Sequence, residues 1–209
     1  MRFTALALSI VAAVGTSATA EVINPLVPEW RGSANTEFFG WESFTQTFAA
    51  PNFPDAPFSM DAQLFNFASG AAITSGGNLY GANGLNLHIY GSGVPAELVL
   101  NFTTLGSTVN ANAVQGFLGN QAQEGEFFAP SSSELRYEES LGEMGFIQTW
   151  AFTFDFTSFQ GEADNWALFF GTDSPHFSLD AATVDIRAVP APGALALLGL
   201  AGVARRRRR

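Results

Sequence analysis

The chain of 209 residues contains no cysteine and no lysine, and only three methionines and two histidines. Without cysteine, thiol catalysis and a disulfide framework are both excluded. His88 and His176 are the only imidazoles and no His-Glu-x-x-His spacing occurs, so a zinc-protease site has no carrier. A Gly-x-Ser-x-Gly elbow is also missing, which removes the nucleophile geometry of an α/β-hydrolase. With no lysine, the nine basic residues are all arginines: Arg2, Arg31, Arg136, Arg187 and the terminal run Arg205 to Arg209. Phosphate contacts need clustered cations, so the interior of the chain is not an unaided nucleic-acid-binding domain. No apolar run reaches the roughly 20 residues that span a bilayer.

What the chain does have is acid and phenylalanine. All 19 acidic residues fall between Glu21 and Asp185, against Arg31, Arg136 and Arg187, so this interior carries 3 − 19, or −16. Every Phe except Phe3 also lies in that interior, and an acidic disordered tail would be poor in aromatics. Residues 21–188 are therefore expected to form one domain long enough to bury a sizeable core. Having no disulfides, it must draw its stability from that core or from a bound ion.

The two ends have a different composition. Met1-Arg2, an apolar stretch from Phe3 to Val14, and small residues at Ala18 and Ala20 match the three regions of a secretory signal peptide, with cleavage expected after Ala20. At the other end Val189-Pro190-Ala191-Pro192-Gly193 is followed by an uncharged run, Ala194 to Ala204, and then Arg205, Arg206, Arg207, Arg208 and Arg209. The prolines separate the domain from this terminal segment, because they cannot continue a strand ladder. Residues 194–204 would form a helix of only about 16 Å, but terminal arginines favour the cytoplasmic side and can snorkel to the interface. This tail, 189–209, resembles the PEP-CTERM sorting signal of exported bacterial envelope proteins. The resemblance implies export machinery, signal peptidase, transient residence in the inner membrane and processing by an exosortase-like enzyme. The arginines would serve as the cytoplasmic anchor, and the protein would end at the cell envelope, its outer surface or the extracellular matrix. Ala191 stands where the family usually has Glu.

Between the ends the hydrophobic period is two, the spacing of strands with one apolar face. Trp150, Phe152, Phe154 and Phe156 alternate with Thr149, Ala151, Thr153 and Asp155, which predicts an aromatic face and a wet one. Similar patterns run through 85–90, 97–102, 166–170 and 182–188, with weaker ones at 38–48, 64–68, 135–137 and 177–179. Turn sequences such as Asn83-Gly84 and Gly91-Ser92-Gly93 separate them. Many short strands of this kind describe an all-β antiparallel sandwich of the jelly-roll type. Residues 111–119 are read as a short helix, with Val114, Phe117 and Leu118 on one side.

This composition supports three functional readings. The first is a non-enzymatic exported envelope or matrix protein with an evenly acidic surface. The second is a carbohydrate-binding module that would recognise polysaccharide through exposed aromatics lined along one sheet; Trp30, Trp41, Tyr80 and Tyr90 are the aromatics least committed to a core face. Within this reading Phe177-Ser178-Leu179-Asp180 resembles the strand before the end of galactose-binding-like and carbohydrate-binding jelly rolls, where Asp180 would support a structural calcium or an end-of-sheet turn. Calcium needs several oxygens, and an acidic sandwich can supply them from loops. The third reading is a small glycoside hydrolase, which needs two carboxylates facing each other across a cleft. Glu134, Glu138, Glu139 and Glu143 are clustered in sequence but read as a solvated face, and His88 and His176 read as a solvated strand residue and a loop residue.

Overall fold

Alternation in sequence becomes facing in space. A computed structural model describes residues 20–188, apart from 56, 121 and 123, so the predicted signal segment, the sorting motif and the arginine tail lie outside the described residues. The domain is built of twelve strands. In chain order they are β1 (Thr36–Trp41), β2 (Ala62–Asn66), β3 (Ala71–Ile73), β4 (Leu79–Gly81), β5 (Leu85–Ser92) and β6 (Pro95–Gly106). The remaining six are β7 (Gln115–Gly119), β8 (Gly125–Phe128), β9 (Ser132–Ser140), β10 (Phe146–Asp155), β11 (Asn165–Thr172) and β12 (Phe177–Ala188). Among the described residues no helix is long and apolar enough to cross a membrane.

The strands form two antiparallel sheets. One has the order β3-β4-β12-β6-β10-β9, with β1 also paired to β12; the other has the order β2-β5-β11-β7-β8. The chain crosses between sheets from β1 to β2 to β3, from β4 to β5 to β6 to β7, from β8 to β9, and from β10 to β11 to β12. The rows β4-β12-β6-β10 and β5-β11-β7-β8 thus have the strand order of a jelly roll, widened by edge strands. Both inner faces are aliphatic and aromatic. Leu98, Leu100 and Phe102 of β6 and Phe152 and Phe154 of β10 meet Leu87 and Ile89 of β5 and Leu168 and Phe170 of β11 in one cluster.

Within β12 the apolar positions change phase: Phe177 and Leu179 are odd, whereas Ala182, Val184 and Ile186 are even, and all five belong to the same core. A regular strand would send one set outward, because successive side chains point to opposite faces. The pairing with β6 accordingly slips between Leu179 and Ala181, leaving Asp180 as the extra residue of a β-bulge. At the same place β12 changes its other neighbour, from β4 through Leu179 to β1 from Ala182.

Two expectations are corrected. Residues 111–119 are not a helix: Ala111–Ala113 make a single 3₁₀ turn and Gln115–Gly119 form β7. Gly116 and Gly119 disfavour a helix, and a Cβ at Gly116 would press on Phe154 at 2.9 Å, so β7 packs its glycine backbone directly on the core. The expected strand over 38–48 ends at Trp41, where Asp55 accepts hydrogen bonds from the backbone N–H groups of Glu42 and Ser43, each at 2.8 Å, and turns the chain.

The wet face of β6, β10 and β12 is also covered rather than solvated. Residues 20–31 lie across it as a strap. Ala20 and Val22 pack on Ala181, the Ile23 N–H donates to Thr103 Oγ1 at 3.1 Å, and Leu26 exchanges two bonds with the Asn101 side chain at 2.7 and 3.1 Å. Asn101, Thr103, Thr149 and Asp185 are therefore buried and still hydrogen-bonded, as buried polar groups must be.

Candidate functional site

Among the described residues no such strap crosses the outer face of the second sheet, and that face is aromatic. Residues of β2, β5, β11, β7 and β8 that alternate with the core residues point outward. Register places Phe65, His88 and Phe169 side by side across β2, β5 and β11. The next row holds Tyr90, Ala167, Phe117 and Phe127 across β5, β11, β7 and β8. The rings touch in sequence. Phe67 and His88 have centroids 4.7 Å apart, His88 and Phe169 4.7 Å, Phe169 and Phe127 5.7 Å, and Phe127 and Phe117 5.1 Å. Phe65 packs on Phe67 at 5.8 Å and on Tyr90 at 5.7 Å. Several rings remain open to solvent: Phe127 is 59% exposed, Phe67 40% and Tyr90 39%.

Two hollows open in this face on either side of Phe169. The first, of about 540 Å³, sits over Ala167 between Tyr90, Phe117, Phe127 and Phe169, with Asn120 and Asn165 at its rim. The second, of about 660 Å³, sits over Gly171 and is lined by Asn86, Asn110, Phe169 and Asp173 among others. Both exist because β11 places small residues beside Phe169. Gly171 cannot be otherwise: its φ is +129° and a Cβ there would stand 2.1 Å from the Leu85 carbonyl oxygen.

His88 is not the freely solvated histidine expected from its position. It lies half-buried between Phe67 and Phe169. Its Nδ1 lies 2.8 Å from Tyr90 Oη and its Nε2 lies 2.9 Å from Asn86 Oδ1. The neutral ring with its proton on Nε2 satisfies both contacts, donating to Asn86 and accepting from Tyr90. Burial favours that neutral form and lowers the His88 pKa below its ordinary value, while the same burial raises that of Tyr90.

The other singled-out residues lie elsewhere. Trp41, read as uncommitted, is wholly buried, and its Nε1–H donates to the Asn52 carbonyl at 2.9 Å. Trp30 donates to Glu97 at 3.1 Å beneath the guanidinium of Arg187. Tyr80 Oη lies 2.6 Å from His176 Nδ1, on a loop where His176 has a φ of +59°. Asp180, at the bulge of β12, accepts from Asn78 Nδ2 at 2.5 Å, and burial raises its pKa against that bond. Among the described residues no group of three or more His, Cys, Asp or Glu could hold a metal ion. Glu134, Glu138 and Glu139 stand on the edge strand β9, where Glu134 pairs with Arg136 at 2.9 Å and Glu138 accepts from Gln148 at 2.7 Å. Among the described residues one carboxylate, Asp173, lines the two hollows of the aromatic face, whereas glycoside hydrolysis takes two.

Of this face, sequence reasoning singled out Tyr90 and His88, and named Phe117 only as part of one side of the expected helix. Phe65, Phe67, Phe127 and Phe169 were not singled out; in β11 both parities are apolar, so Phe169 was not distinguishable from the core set. In β11 Trp166, Leu168 and Phe170 are buried while Phe169 points outward between Ala167 and Gly171. Antiparallel sheets usually keep one face wet, so a strand apolar on both sides was the available signal. No protein-family model matches the chain, and no curated protein matches it in sequence.

Proposed function

We propose that this chain is an exported, non-enzymatic envelope protein that holds polysaccharide on the aromatic outer face of its second sheet. The observation that carries this reading is the ring network from Phe67 to Phe117, with hollows over Ala167 and Gly171 edged by asparagines. A packed core does not need it, since the core lies on the opposite face of the same strands. Apolar walls with a few amides suit a sugar, which presents C–H faces and a ring of hydroxyls. An exposed aromatic patch of this kind marks an interaction surface.

Binding to a glycan array tests the reading through Phe169, which separates the two hollows. Phe169→Ala is expected to weaken binding about tenfold, as loss of a central aromatic contact does. Leu135→Ala, on the far sheet, should leave it unchanged. A chain that retains no glycan, or a Phe169→Ala variant that binds as well as the parent, overturns it.

The sorting reading rests on the sequence of the two ends. Mass spectrometry of the protein from its native host should find a chain beginning at Glu21 and ending before Arg205. Released protein that still carries the intact arginine run would rule out the processing step.

A further inference from the structure

Resting on the polysaccharide reading, we infer that the ligand is an extended hexosamine chain carrying free, protonated amines. Shape gives the first half of this. The two hollows lie along one strand, over Ala167 and Gly171, four residues or about 13 Å apart at 3.3 Å per residue. Phe169 stands between them as the shared wall. Two hollows spaced that far apart reach beyond a single hexose, so they suit an extended chain of sugars.

Charge gives the second half. There is no lysine in the sequence, and the three arginines of the described residues all serve the other sheet. Arg31 holds Asp185, Arg136 holds Glu134 at 2.9 Å, and Arg187 holds Glu97 at 2.6 Å. Among the described residues no lysine or arginine therefore lines either hollow to meet a carboxylate or sulfate on a sugar. Each hollow instead has acid beside it. Asp173 lines the hollow over Gly171. At the hollow over Ala167, Asp164 accepts from Asn165 at 2.9 Å and Glu124 accepts from Asn120 at 3.3 Å, so each rim amide has one N–H directed at a carboxylate. The Asn86 and Asn110 side-chain carbonyls at the hollow over Gly171 already accept from His88 and Asn112, so the acceptor that hollow offers a ligand is the Asp173 carboxylate. A ligand bearing ammonium and hydroxyl donors complements it, with rings from Tyr90 to Phe127 beneath its apolar faces.

Titration with defined oligosaccharides separates this inference from the reading beneath it. Glucosamine hexamer should bind about tenfold tighter than both N-acetylglucosamine hexamer and glucosamine dimer, and its binding should weaken as salt is added. Asp164→Asn combined with Asp173→Asn should remove most of that preference for the amine, while Glu143→Gln, on an exposed turn of the other sheet, should not. Phe169→Ala should weaken all the hexamers. If N-acetylglucosamine hexamer binds as tightly as the amine form and still depends on Phe169, the charge inference falls and polysaccharide binding stands. If dimer and hexamer bind alike, the extended-chain inference falls. If the amine hexamer binds regardless of Phe169, the attraction is that of a polycation for any acidic surface, and both fall.

Discussion

Phe102→Ala should remove about 3–5 kcal/mol from the free energy of unfolding. Phe102 has no exposed surface and joins the two sheets: its ring stacks on Phe152 of the neighbouring strand at 5.6 Å and on Phe170 of the opposite sheet at 4.8 Å. The void left behind cannot close easily, because β6 is hydrogen-bonded along both edges, to β10 and to β12. Domains of this kind are stable by only about 5–15 kcal/mol, so a single ring accounts for a large share. Urea unfolding measures the effect as a lower midpoint with an unchanged slope. Phe127→Ala is the matching control, since Phe127 lies mostly in water on the aromatic face and should shift stability by less than about 1 kcal/mol. Equal losses from the two variants would mean that the outer rings, and not the sandwich core, hold the fold together.

The contrast between those two phenylalanines also marks what the sequence made legible. Alternation at Leu98, Leu100 and Phe102 and at Phe152, Phe154 and Phe156 identified strands and the face they bury, because a two-residue period has only one structural meaning at that length. It could not say whether the remaining face was wet. Asn101, Thr149 and Asp185 look like solvent-facing positions, yet the strap at 20–31 buries all three, and no local pattern records a segment that arrives from 75 residues away at Asn101. The reverse error hid the candidate site. Phe169 and Phe117 look like core residues, yet their direction depends on register with Ala167, Phe127 and His88. Composition weighed the amount of aromatic surface correctly and was silent about its division between the two sides of one sheet. Residues 177–179 and 182–188 likewise read as two strands with a turn at Asp180, whereas the structure joins them as β12 and places Asp180 at a bulge, because the phase change is absorbed within one ladder.

Arg31→Ala should lower stability at neutral pH by about 3 kcal/mol, with a pH dependence that identifies the cause. The Arg31 guanidinium grips both oxygens of the Asp185 carboxylate and lies over the Phe38 ring at 4.4 Å. Asp185 itself is fully buried, and burial pushes its carboxyl above the ordinary range while Arg31 pulls it back. Removing Arg31 leaves the burial and takes away the opposing charge, so the folded-state pKa rises further. The unfolded chain keeps the ordinary value of about 3.9. A raised folded pKa favours the folded state below the unfolded value, where the carboxyl is neutral in both states, and that advantage is lost as pH rises through the folded pKa. The deficit of Arg31→Ala against the parent should therefore be small near pH 3.5 and grow towards neutrality. The magnitude sits at the low end of what breaking a buried pair costs, because the Arg31 side chain is 28% exposed and its loss admits water. Adding Asp185→Asn to Arg31→Ala should recover most of the loss at neutral pH, since no buried charge then remains. A deficit that stays flat with pH, or a double variant no better than the single one, would assign the effect to lost packing on Phe38. Either result bears on the site as well. The strap held by this pair covers the outer face of the first sheet, whereas among the described residues no segment covers the aromatic face of the second.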